Sequence, residues 1–405
     1  MRKIGRLLGF VALPVLGIIT PLLALPTISS LYGSAAWASI AIGQSVGGVA
    51  ATVIELGWAW NGPMRVARGT TGNRRATLAL AWKSRLLVAP LPIALAAVTA
   101  ATVAPAYAVE AAVAAVGTTL LGFSTAWYFF GQGRAWTVFL IEAVPRLALV
   151  ATSCILMIAG AGLASFAIVG VLLPAVLAPL AGTIAAGVGD TRTKRWTLRR
   201  IWWIALAQSR IASARVLSSL YMSLPTTLVG LVAPLDATAT FAAGDRVTRM
   251  GLSGLAYVPT SLQKWVGRAA TSRDRLVSAH RAIRLNLALG IAGGIVAFAA
   301  LPLATDLLFS GTATVDGFGA ACLGLLVVVV STSRAVGGLA LVVTGQQGAI
   351  LASAATGAVI GVPGTAILSS LFGANGAFGA AVCAESGVLL VQVILLRRGL
   401  RRLQR

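Results

Sequence analysis

Residues 127–146, WYFFGQGRAWTVFLIEAVPR, decide how this chain is read. Two apolar runs flank a Gly-Gln-Gly-Arg turn at 131–134, and the second run carries Glu142, Pro145 and Arg146 well inside it. A helix needs about 20 apolar residues to cross a bilayer. A charge near the middle of such a helix costs roughly 2.5–3.5 kcal/mol on insertion scales, so it has a partner or a task. Outward from this stretch the same pattern repeats. Of the 405 residues, 58% are hydrophobic and only 10% are charged, against about 25% charged in a soluble domain. So few charges cannot cover a water-exposed surface of this size. The fold class is an all-α polytopic membrane protein.

Apolar segments recur near 7–29, 38–60, 86–105, 107–131, 135–159, 162–188, 211–233, 237–262, 285–309, 317–345, 349–372 and 375–396, about twelve spans in all. The first follows a basic start and has no clear cleavage site, so it reads as an uncleaved membrane helix and not a signal peptide. Residues 201–210, IWWIALAQSR, are too short to span and read as an interfacial helix. The connections near 30–36, 104–108, 159–163, 233–236, 309–316 and 372–376 contain no lysine or arginine. The alternate connections carry Arg65, Arg68, Arg74, Arg75, Lys83 and Arg85, then Arg134, then the basic clusters at 192–200 and 264–284. The positive-inside rule therefore puts both termini in the cytoplasm. A basic connection at the midpoint divides the chain into residues 1–200 and 201–405, six spans each, as in duplicated transporters.

The formal charge of +22 sits in these short clusters between apolar runs. That is the distribution of inner loops, and no nucleic-acid partner is expected. Cys154, Cys322 and Cys383 lie in apolar runs without C-x-x-C spacing, and His280 is the single histidine, so neither a metal site nor a cofactor is expected. Short outer connections and the absence of Walker, G-x-S-x-G or H-E-x-x-H patterns argue against an enzyme.

The charges inside spans are the candidate site. Glu142 and Arg146 are one helical turn apart. Asp245, Arg246 and Arg249 cluster in the eighth span, Arg334 lies in the tenth and Glu385 in the twelfth. Arg215 enters the seventh, and Glu55 lies near the inner end of the second. One reading is a set of ion pairs locking helices together. The other is a cationic cavity in which Arg146, Arg215, Arg246, Arg249 and Arg334 hold an anionic substrate, with Glu55, Glu142, Asp245 or Glu385 coupling an ion. Arginine suits an anion because its planar fork binds phosphate oxygens in pairs and stays charged when desolvated.

Three stretches carry a family resemblance. They are LPTISSLYGSAAWASIAIGQSVGGVAATVIELGWAWNGPMRVAR (25–68), STAWYFFGQGRAWTVFLIEAVPRL (124–147) and ATATFAAGDRVTRMGLSGLAYVPTSLQKWV (237–266). In order and spacing they resemble the Wzx-type polysaccharide flippases of the multidrug/oligosaccharidyl-lipid/polysaccharide (MOP) exporter superfamily. Glu55 stands where the family usually has aspartate, and Arg134 where it often has an acidic residue. The resemblance implies two six-helix lobes around a central cavity, in a bacterial cytoplasmic (inner) membrane. It implies a flippase carrying a lipid-(pyro)phosphate-linked oligosaccharide, usually on undecaprenyl pyrophosphate, to the outer leaflet by alternating access. Partners would include membrane lipids and the polymerase and glycosyltransferases of cell-surface polysaccharide biosynthesis. The alternatives are a drug or metabolite antiporter of the MATE type, or a membrane enzyme or scaffold of polysaccharide assembly.

Overall fold

The computed structural model describes residues 2–187, 197–255, 272–341 and 346–403, and among them there are helices and turns but no strand. Among the described residues, seven helices are long and apolar enough to cross a membrane, or eight if the pair Thr71–Val88 and Pro90–Val103, bent by 50°, forms one span. Helix occupies all or part of each of the twelve expected spans. The protein is an all-α polytopic membrane protein.

The chain forms two compact units, Met1–Ser219 and Leu220–Arg405. The sequence placed the division at 200. The boundary between the compact units lies near the end of a helix, Leu198–Ser223, that runs without interruption through the expected interfacial segment 201–210. No glycine or proline lies between 198 and 223 to end a helix, and the next element opens at Pro225. Trp202 and Trp203 are exposed on this helix, while Ile201, Ala205 and Gln208 are buried, Ala205 in a core cluster with Trp58, Leu78 and Phe129.

In the first unit, α1 (Arg2–Glu55) breaks at Gly33, whose φ of 76° lies where L side chains are strained. Beyond the break Gly43 and Gly47 bring α1 onto the backbone of Ala111 and Ala115 in α5 (Ala108–Leu120), leaving no room for a Cβ. This small-xxx-small contact is the usual way membrane helices approach closely. On α4 (Pro90–Val103), Pro92, Ala96 and Ala100 are buried while Leu91, Leu95 and Val98 point outward. The apolar stripe faces the surroundings, as it must in lipid.

The same rules build the second unit. Helix α13 (Ser272–Leu308) meets α14 (Gly317–Ala335) where Gly294 and Gly324 touch backbone to backbone. The last helix, α15 (Gln347–Leu403), is broken at Gly373 with φ 58°, within the expected outward connection 372–376. Phe241 of α12 (Leu235–Leu255) and Phe378 of α15 pack at 5.3 Å in the core between them.

Candidate functional site

Among the described residues, two groups of buried or half-buried charged side chains come together, one in each unit. The first is built at a break in the fourth span. After α5 the chain makes a short 3₁₀ turn, Leu121–Phe123, and extends at Ser124 before α6 (Ala126–Gly131) begins. A break inside a membrane span exposes backbone groups that must find partners. Here they do. Arg85 Nη1 donates to the Ser124 carbonyl at 3.1 Å, and Ala126 N donates to Ser124 Oγ at 3.1 Å. Ser124 Oγ in turn donates to Glu142, 2.9 Å from Oε1 and 3.1 Å from Oε2.

Glu142 reaches this break because it sits on a π-helical turn, Phe139–Ala143. Pro145 explains the turn. Its ring clashes with the carbonyl four residues back and it lacks an N–H to bond it, and a wider turn relieves both. A second π turn, Phe166–Leu172, likewise precedes Pro174. The π turn also changes the expected Glu142–Arg146 pairing. The carboxylate accepts from Ser124, while Arg146 lies within its electrostatic reach on an exposed position of α8 (Val144–Ile158).

Arg85 is the residue sequence reasoning missed. The expectation that it belongs to an inward loop is corrected: it lies in α3 (Thr71–Val88) and is 1% exposed. Its guanidinium carbon is 5.7 Å from the Trp127 ring centroid, and Glu55 and Glu142 are the carboxylates whose fields reach it. The signal was present in the sequence. Leu78, Ala81 and Arg85 share one helical face, and all three are buried. Counting basic residues for orientation assigned it to the loop instead. Glu55 has a local task as well, since its Oε1 accepts from Ala59 N at 3.2 Å near the start of α2 (Trp58–Arg68).

The second cluster surrounds a cavity of about 260 Å³ in the second unit. Asp245 and Arg249 come from α12, Arg334 from α14 and Glu385 from α15, and all four line it. Arg249 Nε contacts Asp245 Oδ2 at 2.6 Å, and Arg334 Nη1 donates to the Leu252 carbonyl at 2.6 Å. Glu385 lies within electrostatic reach of both arginines. Thr248, Val330 and Ala381 are also in its wall. A third π turn, Val336–Leu341, follows Arg334 directly.

The structure thus brings Asp245, Arg249, Arg334 and Glu385 together, and Glu142 with Arg85. Arg246 is half-buried on α12 and does not line this cavity. Arg215 lies on the helix Leu198–Ser223, and its side chain is outside the described residues.

No protein-family model and no curated protein matches the sequence. Solved structures do match in fold. One is an inward-facing multidrug resistance MATE family transporter of the MOP superfamily, 16% identical with a TM-score of 0.64, covering 99% of this chain and 98% of that one. Another is the lipid II flippase MurJ in an inward closed conformation, 10% identical with a TM-score of 0.68, covering 97% and 87%. A third, from Pyrococcus furiosus, is described as a MOP superfamily transporter whose reversed pocket polarity suggests a different function. It is 16% identical with a TM-score of 0.56, covering 99% and 95%. The fold is the one these transporters and flippases share.

Proposed function

We propose that the protein is a flippase of the Wzx type, moving a lipid-(pyro)phosphate-linked oligosaccharide from the cytoplasmic to the outer leaflet of a bacterial cytoplasmic membrane. The observation that carries this reading is the cavity among α12, α14 and α15, whose wall holds two carboxylates and two guanidiniums. Charges of both signs inside membrane helices are expensive to maintain. They suit a polar cargo that must leave water, such as a glycan, while its lipid tail stays in the bilayer. Similarity of fold to MurJ and the three matching stretches support the same reading.

The MATE-type alternative keeps one argument in its favour, similarity of fold to a multidrug transporter over nearly the whole chain. The wall favours a cation only weakly, because Arg249 and Arg334 offset Asp245 and Glu385 and leave it no net negative charge. The deciding experiment reconstitutes the protein in vesicles with a fluorescent polyprenyl-pyrophosphate-linked sugar. Protein-dependent exposure of the label to an outside quencher, lost in Arg334→Ala, is the expected result. Export of ethidium without movement of the lipid-linked sugar would overturn the flippase and favour the antiporter.

A further inference from the structure

We propose that the cavity of the second unit is a subsite for one neutral, polyhydroxylated ring of the carried glycan, and not for its pyrophosphate. The inference rests on the flippase reading for its cargo, but its chemistry comes from the wall alone.

The charge count comes first. Counted at formal charge, Asp245 and Glu385 give two negative charges and Arg249 and Arg334 two positive ones, so the wall is formally neutral. A pyrophosphate needs a surplus of positive charge to replace its lost hydration, and two carboxylates in the same small space oppose it. A sodium ion is opposed equally by two guanidiniums. What the wall offers instead is a mixture of hydrogen-bonding types. Guanidiniums only donate and ionised carboxylates only accept. Hydroxyl groups do both, so a polyol can answer every point of such a wall, whereas an anion or a cation answers half of it.

A second observation points into the same space. Thr248 lines the cavity, is 4% exposed, and its Oγ1 has no hydrogen-bond partner among the described residues. Buried hydroxyls are almost always bonded; this one is closed to a water-sized probe, and a turn about its χ1 brings it to an occupant of the cavity. The apolar part of the wall fits as well. Val330 and Ala381, both half-buried, give the C–H face of a sugar ring a surface to rest on, as the mixed lining of small-ligand sites commonly does. The volume, about 260 Å³, falls below the roughly 300–1,000 Å³ of drug-sized pockets and suits a single ring.

The test is saturation-transfer NMR on the purified full-length protein in detergent. Glucose, galactose, rhamnose and N-acetylglucosamine serve as separate probes, and inorganic pyrophosphate as the competitor. At least one neutral sugar should receive saturation, and pyrophosphate should leave that signal unchanged. Glu385→Gln and Thr248→Val keep shape and remove one acceptor charge or one hydroxyl. Each should weaken apparent binding by about tenfold or somewhat less, the loss expected for one buried hydrogen bond. Asp245→Asn serves where either variant unfolds. The proposal is overturned if none of the four sugars binds, if pyrophosphate displaces them, or if the folded variants bind as the native protein does. The transport reading fails separately: sugar bound in this cavity by a protein that flips no lipid-linked glycan keeps the subsite and removes the flippase.

Discussion

At the scale of single residues, Arg85 shows how the first unit manages a charge it cannot hydrate. A buried guanidinium needs partners, and here the Ser124 carbonyl, the Trp127 ring and the fields of Glu55 and Glu142 serve it, while its Nε and Nη2 have no hydrogen-bond partner among the described residues. Removing one member of such an arrangement is far worse than removing the set, because the remaining charge stays buried. We expect Arg85→Met to lower stability by about 3–5 kcal/mol, read as a large drop in thermal unfolding temperature in detergent. Arg85→Met with Glu142→Gln should recover much of that loss. Strict additivity of the two changes would show that the guanidinium and the carboxylate do not communicate through Ser124. The residues of the second cluster were easier to find in the sequence, since Asp245, Arg334 and Glu385 each interrupt an apolar run. Arg246 and Arg249 are equally basic neighbours there, and only the rotation of α12 about its axis, set by tertiary packing, puts Arg249 on the cavity wall.

At the scale of elements, two local devices decide where these side chains point. The first is the π turn before Pro145. A π turn inside an α-helix is uncommon and tends to accompany function, and this one carries Glu142 toward Ser124. Pro145→Ala restores the missing N–H and removes the ring clash, so the turn should relax to α-helix and swing Glu142 away. The expected outcome is an equal or higher unfolding temperature with slower flipping of the lipid-linked sugar. Unchanged flipping would reduce the turn to an accommodation of the proline. The second device is close helix contact at glycine. A Cβ on Gly294 would lie 2.6 Å from the Gly324 carbonyl oxygen, closer than real contacts allow, so Gly294→Ala should force α13 and α14 apart and destabilise by about 1–3 kcal/mol. Gly379→Ala meets nothing within 4 Å on the same measure and should be neutral or slightly stabilising. Similar melting temperatures for the two variants would remove the contact from the account. Spans and breaks were legible because apolar runs and glycines record them directly. The π turns and the break at Ser124 were not, since a proline marks strain without saying how the neighbouring turn absorbs it.

At the scale of the whole molecule, charge and geometry divide the chain's connections in the same way. Helix ends or breaks fall at Gly33, 104–107, 159–162, 233–234, 309–316 and Gly373. Each lies in a connection without lysine or arginine. The basic stretches 188–196 and 256–271, expected inside, are outside the described residues, so their side of the membrane rests on composition alone. The positive-inside rule counts lysine and arginine in short loops near span ends, and burial of Arg85 removes one of those counted. The remaining bias still has one sign throughout. Single cysteines at Ser34, Ala161 and Thr312, in a background where Cys154, Cys322 and Cys383 are replaced, should react with a membrane-impermeant maleimide in intact cells. Cysteines at Asn73, Thr193 and Ser272 should react only after the membrane is opened. One site on the wrong side would displace a span and change the parity of every later connection. The twelve-span count expected from the sequence would then be wrong, and with it the cytoplasmic placement of both termini.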